Sequence, residues 1–322
     1  MTSRRDFVRG LSAAGALSVA PRLFAAERKI ETTRIVVGEG GAICTSPSYV
    51  AEHLLRAEGF KEIEFLPAAN RAKGDFAFAF GPTWLEWIDA GAPMVIVAGL
   101  HPGCIEIFGA KHIRSLRDLR GKVVAESGRG TGPRTLVSTM LSYVGLDPRK
   151  DIEWRKEPSL DQAARMLDEG KIQAYVGVPP EPQHLRARNV GNVILNTTTD
   201  RPWSQHFCCM VAANRDFVRR NPVASKRALR AFLKASDLCA AEPERASALV
   251  AGLRPEMNPK ILQQVYRELP YNAWRELSAE GTVQFFALRL SETGMVKSNA
   301  QKLIAQGTDW RFLNELKKEL KG

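Results

Sequence analysis

Short apolar runs alternate with helix-patterned stretches along nearly the whole chain beyond residue 26, and this alternation limits the fold more than any other feature. Strand-like runs fall at Thr33 to Val37, Glu62 to Phe65, Phe76 to Ala79, Met94 to Ala98, Lys122 to Ala125, Ile152 to Arg155, Ala174 to Val178, Asn192 to Leu195 and Phe207 to Ala212. Helical patterns occupy Pro47 to Glu58, Trp84 to Ala90, Arg134 to Val144, Leu160 to Glu169, Pro222 to Ala240, Glu242 to Leu253, Asn258 to Leu269, Ala279 to Thr293, Asn299 to Ile304 and Arg311 to Leu320. Strands separated by helices favour parallel pairing, because a parallel neighbour needs a long crossover that a helix supplies. The expectation is α/β layers with mainly parallel sheets, divided into two lobes. Two helix starts have a local cause: Ser46 before Pro47 reads as a cap followed by a first-turn proline, and Ser159 before Leu160 as a second cap.

The N-terminus carries a separate signal. Ser3-Arg4-Arg5-Asp6-Phe7-Val8-Arg9 precedes a mostly apolar run from Leu11 to Ala20, then Pro21-Arg22 and Leu23-Phe24-Ala25-Ala26. This reads as a twin-arginine export signal cleaved near Ala25 or Ala26, with Leu23 where a small residue is usual. The run is too short for a bilayer, which needs about 20 apolar residues. No cysteine follows it to take a lipid anchor, so the mature chain is expected to be soluble and periplasmic, exported by the twin-arginine machinery.

The full chain has a formal net charge of +11. Residues 1–26 hold Arg4, Arg5, Arg9 and Arg22 against Asp6, a net of +3, so about +8 remains for the rest. A basic surface favours anionic partners. Its arginines are interleaved with acids, as in Arg117-Asp118-Leu119-Arg120, and no basic block or RNA-reading aromatic motif occurs. A nucleic-acid partner is therefore not expected.

Residues Ile113 to Arg134 combine a basic amphipathic turn, a short strand and a glycine-rich loop that opens into a helix. Small residues in Glu126-Ser127-Gly128-Arg129-Gly130-Thr131-Gly132 let backbone N–H groups approach a bound group, and the positive end of the following helix points the same way. An ordinary strand-to-helix turn accounts for the spacing equally well.

Ordered segments along the mature chain resemble the nitrate, sulfonate and taurine type of ABC-transporter substrate-binding proteins, a family related to binders of thiamine-pyrimidine precursors. They are Arg34 to Gly38 followed by Pro47 to Glu52, Asp75 to Pro82, Ala90 to Ala98, Ser115 to Ala125, Gly145 to Pro148, and Glu169 to Gly177. The resemblance implies a type II periplasmic-binding-protein fold, a venus flytrap, with residues 27–101 plus 208–322 in lobe one and 102–207 in lobe two. It also implies a small-molecule ligand delivered to an ABC permease with its ATPase subunits, with no cofactor and no catalytic residue.

Ligands of open α/β sheets bind beyond the carboxyl ends of strands. The loops so placed nominate Gly40, Gly41, Ala42 and Cys44 after the first strand, then Gly81, Pro82 and Trp84, the last able either to stack on a planar ligand or to pack in the core. The second lobe offers Ser127, Gly128, Arg129, Gly130 and Thr131, with Arg129 a counter-charge for an anion. The proline-stiffened loop Gly177 to Gln183 positions Glu181, which would suit an amine, and Trp203 with His206 stand at the presumed second crossover as ligand or hinge contacts.

Cys44, Cys104, Cys208, Cys209 and Cys239 make an odd count, and adjacent Cys208 and Cys209 lie in a strand with alternating faces, so no disulfide framework follows. Buried small apolar residues are the preferred reading. Certain relatives are enzymes of thiamine-pyrimidine synthesis with an iron site, a substrate histidine and a dense cysteine motif. This chain has only the pair, and it carries an export signal that a cytoplasmic enzyme does not need. Zinc-spaced cysteines, a His-Glu-x-x-His element, a P-loop and a Gly-x-Ser-x-Gly elbow are all missing from the sequence. Two readings stand: a solute receptor, and an enzyme of the pyrimidine-precursor synthase type on the same fold.

Overall fold

The structure, a computed structural model, describes residues 29–128, 132–157 and 159–320. The expected export signal lies outside the described residues, as do Arg129, Gly130 and Thr131.

Ten strands are described: β1 (Arg34–Gly38), β2 (Glu62–Leu66), β3 (Phe76–Phe80), β4 (Met94–Pro102), β5 (Glu106–Gly109), β6 (Lys122–Glu126), β7 (Ile152–Lys156), β8 (Ala174–Gly177), β9 (Asn192–Asn196) and β10 (Phe207–Asn214). They form two five-stranded sheets, ordered β2-β1-β3-β10-β4 and β7-β6-β8-β5-β9. In the first sheet β1 runs parallel to β2 and β3, while β10 runs antiparallel to β3 and β4. The second repeats this plan, with β6 parallel to β7 and β8, and β5 antiparallel to β8 and β9. The one reversed strand in each sheet is the first strand the chain enters after crossing from the other sheet. Each such crossing joins strands of different sheets directly, residues 103–105 between β4 and β5 and residues 197–206 between β9 and β10, so no helical crossover is needed there.

The two-lobe α/β architecture thus has mixed sheets, each with two parallel and two antiparallel pairings, where mainly parallel ones were expected. Near-continuous apolar strands build the first sheet: every residue of central β3, and of β4 at the sheet's edge, is buried, as expected of strands covered on both faces. Helix Pro222–Ala241 covers the first sheet by setting Phe232 against Phe76 and Phe78, with ring centroids 5.5 and 5.1 Å apart.

Two local expectations need correction, and one holds. Ser46 does not cap helix Pro47–Ala57; its backbone is already helical and its hydroxyl pairs with the Tyr266 hydroxyl at 2.7 Å instead. Ser159 does cap its helix, accepting from the Gln162 N–H at 3.3 Å. The stretch read as a stiff loop through Gln183 becomes helical at Glu181, in a helix Glu181–Ala187 whose first turn tolerates Pro182 because its N–H is not required there. The strand β5 and the helix Arg215–Arg220 are additions to the sequence reading.

Candidate ligand-binding site

A small cavity of about 70 Å³ opens where the two lobes face each other. One water needs roughly 10–15 Å³ of such space, so it admits several waters or one small solute. The first lobe contributes Gly40, Gly41 and Ala42 after β1, Ala79 and Phe80 at the end of β3, and Thr83 and Trp87 on helix Gly81–Asp89. The second contributes Gly132, Pro133 and Val178.

The first loop is shaped by its glycines. Gly41 has φ +78°, where side chains are strained, and a Cβ on Gly40 would sit 2.1 Å from Thr45 Oγ1. Thr45 folds over that position because its hydroxyl donates to the Ala42 carbonyl at 2.7 Å. The backbone of residues 40–42 is therefore left bare towards the cavity.

Arg71 is the cavity's charged side chain. Its Nε donates to the Ala68 carbonyl at 2.7 Å, and its guanidinium carbon lies 5.9 Å from the centre of the Trp87 ring. Burial pulls its pKa below the usual arginine value, yet an arginine stays cationic at neutral pH. Among the described residues no carboxylate forms an ion pair with it. A half-buried cation that Glu39 influences only through space, with no ion pair among the described residues and beside bare backbone and two aromatic rings, is chemistry for an anionic group on an organic body.

The residues nominated from sequence separate into groups. Gly40, Gly41 and Ala42 line the cavity, whereas Gly81 and Pro82 form the buried first turn of the helix between lining residues Phe80 and Thr83. Trp84 is wholly buried and donates from Nε1 to the Met210 carbonyl at 3.1 Å; its place in the core leaves Trp87, one turn later, at the cavity. Cys44 is also wholly buried, in a thiol cluster behind the cavity wall. Ser127 ends β6 with a buried hydroxyl that has no hydrogen-bond partner among the described residues, and Gly128 follows with φ +70°. Glu181 is buried and accepts from the Val178 N–H at 3.1 Å, so its carboxylate serves its own helix start beside a lining residue.

Trp203 and His206 do not line the cavity. Trp203 packs edge-on to Tyr143 of the second lobe and Phe285 of the first, at 5.3 and 5.8 Å. His206 stacks on Phe285 at 4.1 Å, and burial lowers its pKa, which leaves it neutral at pH 7. Both belong to an aromatic seam at the second crossover.

Polar contacts also cross between the lobes. Thr135 Oγ1 donates to Glu86 Oε2 at 2.8 Å. Arg186 holds Glu106 of its own lobe and also Glu268 of the other at 2.6 Å, and Gln183 Nε2 donates to Glu268 at 2.7 Å. Burial raises the pKa of Glu86 and of Glu106, with Thr135 and Arg186 respectively opposing it. The described conformation is one in which the lobes touch.

Sequence reasoning missed Arg71 and Trp87, and it read Gly132 and Val178 only as members of their loops. Arg71 follows β2, at the carboxyl end of a strand, and the placement rule used for the other loops applies to it equally.

Comparison with known proteins agrees with this architecture. The model of the NMT1-like family matches residues 91–253. The nitrate-binding protein NrtA from Synechocystis PCC 6803 superposes with a TM-score of 0.69 at 16% identity, over 91% of this chain and 90% of that one. The alkanesulfonate-binding protein SsuA from Xanthomonas axonopodis pv. citri, bound to MOPS, gives 0.65 at 17% identity over 84% and 96%. The desulfurization enzyme DSZB gives 0.60 at 14% identity over 89% and 99%. No curated protein sequence matches significantly.

Proposed function

The chain belongs to the NMT1-like family, and from that premise we propose that it is an extracytoplasmic solute-binding receptor delivering a small organic anion to an ABC importer. The observation that carries the reading is Arg71, a half-buried cation at a cavity between two lobes that forms no ion pair with a carboxylate among the described residues. The anion pairs with Arg71 and the bare backbone of residues 40–42, and the organic part lies against Phe80 and Trp87. Sulfonates and nitrate, the solutes of the similar SsuA and NrtA proteins, supply the anionic class; taurine and aromatic acids extend it.

Residues 27–101 with 208–322 act as one lobe and 102–207 as the other, hinged at the two crossovers. A ligand touching both lobes binds the closed state better than the open one and so shifts the population towards the shape a permease reads. Export by the twin-arginine route places the receptor in the periplasm. Against the enzyme reading stands the lining itself: among the described residues it holds no thiol, imidazole or carboxylate to move a proton or attack a substrate.

The test is a thermal-shift and calorimetric screen across alkanesulfonates, taurine, nitrate, aromatic acids and pyrimidines, with mass spectrometry of the recovered solute. A ligand at a hundred times its Kd adds about 2.7 kcal/mol of stability. Arg71→Gln is expected to weaken the best ligand by roughly 10- to 100-fold, since a hydrogen bond to a charged group contributes about 1.5–3 kcal/mol. Undiminished affinity in that variant, or a chemically altered solute, overturns the reading.

A further inference from the structure

We propose that Cys44, His101, Cys104 and Cys209 form a buried site for a zinc-type divalent cation at the junction of the two crossovers. One donor atom from each lies within 4.8 Å of all the others, and all four residues are buried. A tetrahedral zinc ion, with bonds of about 2.3 Å to sulfur and 2.0–2.1 Å to nitrogen, holds its donors roughly 3.8 Å apart, so small side-chain rotations close the cluster around an ion. Three thiolates and one imidazole are a donor set of structural zinc sites.

His101 points independently to a ligand. Its Nδ1 lies 2.8 Å from the Gly103 carbonyl, which only accepts, so Nδ1 carries the proton. Nε2 is then a fully buried acceptor without a hydrogen-bond partner among the described residues. A neutral imidazole held through its other nitrogen by a carbonyl is the state in which a histidine ligates a metal. The Tyr271 ring, 5.0 Å away and edge-on, packs against it, and the Tyr271 hydroxyl donates to the Cys44 carbonyl at 2.7 Å.

The backbone brings these residues together from four places. Cys44 lies in the turn after β1, His101 in β4, and Cys104 in the first crossover, while Cys209 in β10 pairs with both His101 and Phe80. Thr197, in the second crossover, accepts from the N–H groups of Cys104 and Ile105 and so ties the two crossings. The ion staples the first crossover to β4, β10 and the turn after β1, just behind Phe80, a cavity residue. Its entry releases the protons of the three thiols, since thiolates are the ligating form.

Cys208 is the rival. Its sulfur lies 2.8 Å from that of Cys104, and oxidation of this pair would withdraw Cys104 from the donor set.

The test uses the mature chain recovered from the exporting compartment. Metal analysis is expected to find one equivalent of zinc per chain, and X-ray absorption a shell of three sulfurs and one nitrogen. Cobalt(II) titrated into metal-stripped protein is expected to saturate at one equivalent, with thiolate charge-transfer bands and the red d–d bands of a tetrahedral site. Cys104→Ser, Cys209→Ser and His101→Ala are expected to abolish or reshape those bands, whereas Cys239→Ser leaves them unchanged. If the ligand variants fail to fold, the wild-type scattering shell still decides. An all-oxygen shell, under a fifth of an equivalent of bound metal, or a Cys104–Cys208 disulfide in the recovered chain overturns the proposal.

Discussion

At Gly132 the lobes approach so closely that only hydrogen fits: a Cβ there would lie 2.6 Å from Phe80 Cδ2 and 3.2 Å from Thr83 Oγ1. Gly132→Ala is expected to hold the lobes apart while leaving each lobe's core intact. Overpacking of this kind costs about 1–3 kcal/mol, so ligand affinity should fall by roughly 5- to 100-fold with the thermal unfolding of the ligand-free chain little changed. Calorimetry beside a melting curve checks both halves, and equal affinity would show that the contact is not made in the bound state. The same residue shows what a sequence conceals. The glycine-rich stretch from Ser127 to Gly132 is legible as a place of close backbone approach, but that Gly132 meets Phe80 depends on a contact between residues far apart in the chain. Trp84 and Trp87 present the same difficulty. Both lie on helix Gly81–Asp89, and only packing against Met210 decides that Trp84 is buried and Trp87 faces the cavity.

Among the elements, the clearest titration belongs to the contact between helices Gly81–Asp89 and Gly132–Tyr143, where Thr135 donates to Glu86. Burial raises the folded-state pKa of Glu86, as it does for Glu106 and Glu126. Such carboxyls hold their proton more tightly folded than unfolded, so their contribution is full below the ordinary carboxylate range and is lost as pH rises through the raised values. Stability is expected to increase as pH falls through the raised values, above the window in which exposed carboxylates such as Asp118 and Asp147, with depressed values, lose theirs. Glu86→Gln keeps an acceptor for Thr135 and should flatten the slope; an unchanged pH profile of the melting temperature would count against this assignment. The elements themselves were largely readable, because apolar strands bounded by helices leave a strong pattern. β5 escaped it: it is only four residues long, and although Pro102-Gly103 marks a turn before it, Glu106 breaks its apolar pattern and is tolerable in a buried strand because Arg186 reaches it. The helix Glu181–Ala187 escaped through its prolines, which mark a helix start as readily as a loop.

For the whole molecule, what matters is the balance between the open and closed arrangements of the two lobes, and Arg186 acts on it from two sides. It neutralises Glu106 within its own lobe and reaches Glu268 across the gap, where Gln183 joins it. Glu268→Gln removes only the cross-lobe charge. With both partners about one-third exposed, solvent limits the loss to roughly 0.4–1 kcal/mol, a two- to fivefold shift towards the open form. Because a ligand that needs the closed state binds in proportion to the closed fraction, affinity falls by no more than this factor. Arg186→Ala goes further, since it also leaves the buried Glu106 without its cation, and it should lower the melting temperature where Glu268→Gln does not. Small-angle scattering of the ligand-free protein reads the arrangement directly. A larger radius of gyration in both variants, with lost stability in Arg186→Ala alone, identifies the ion pair as a latch between lobes. Unchanged scattering in both would leave closure to the other contacts between the lobes, the aromatic seam of Tyr143, Trp203 and Phe285 and the meeting of Gly132 and Thr135 with helix Gly81–Asp89.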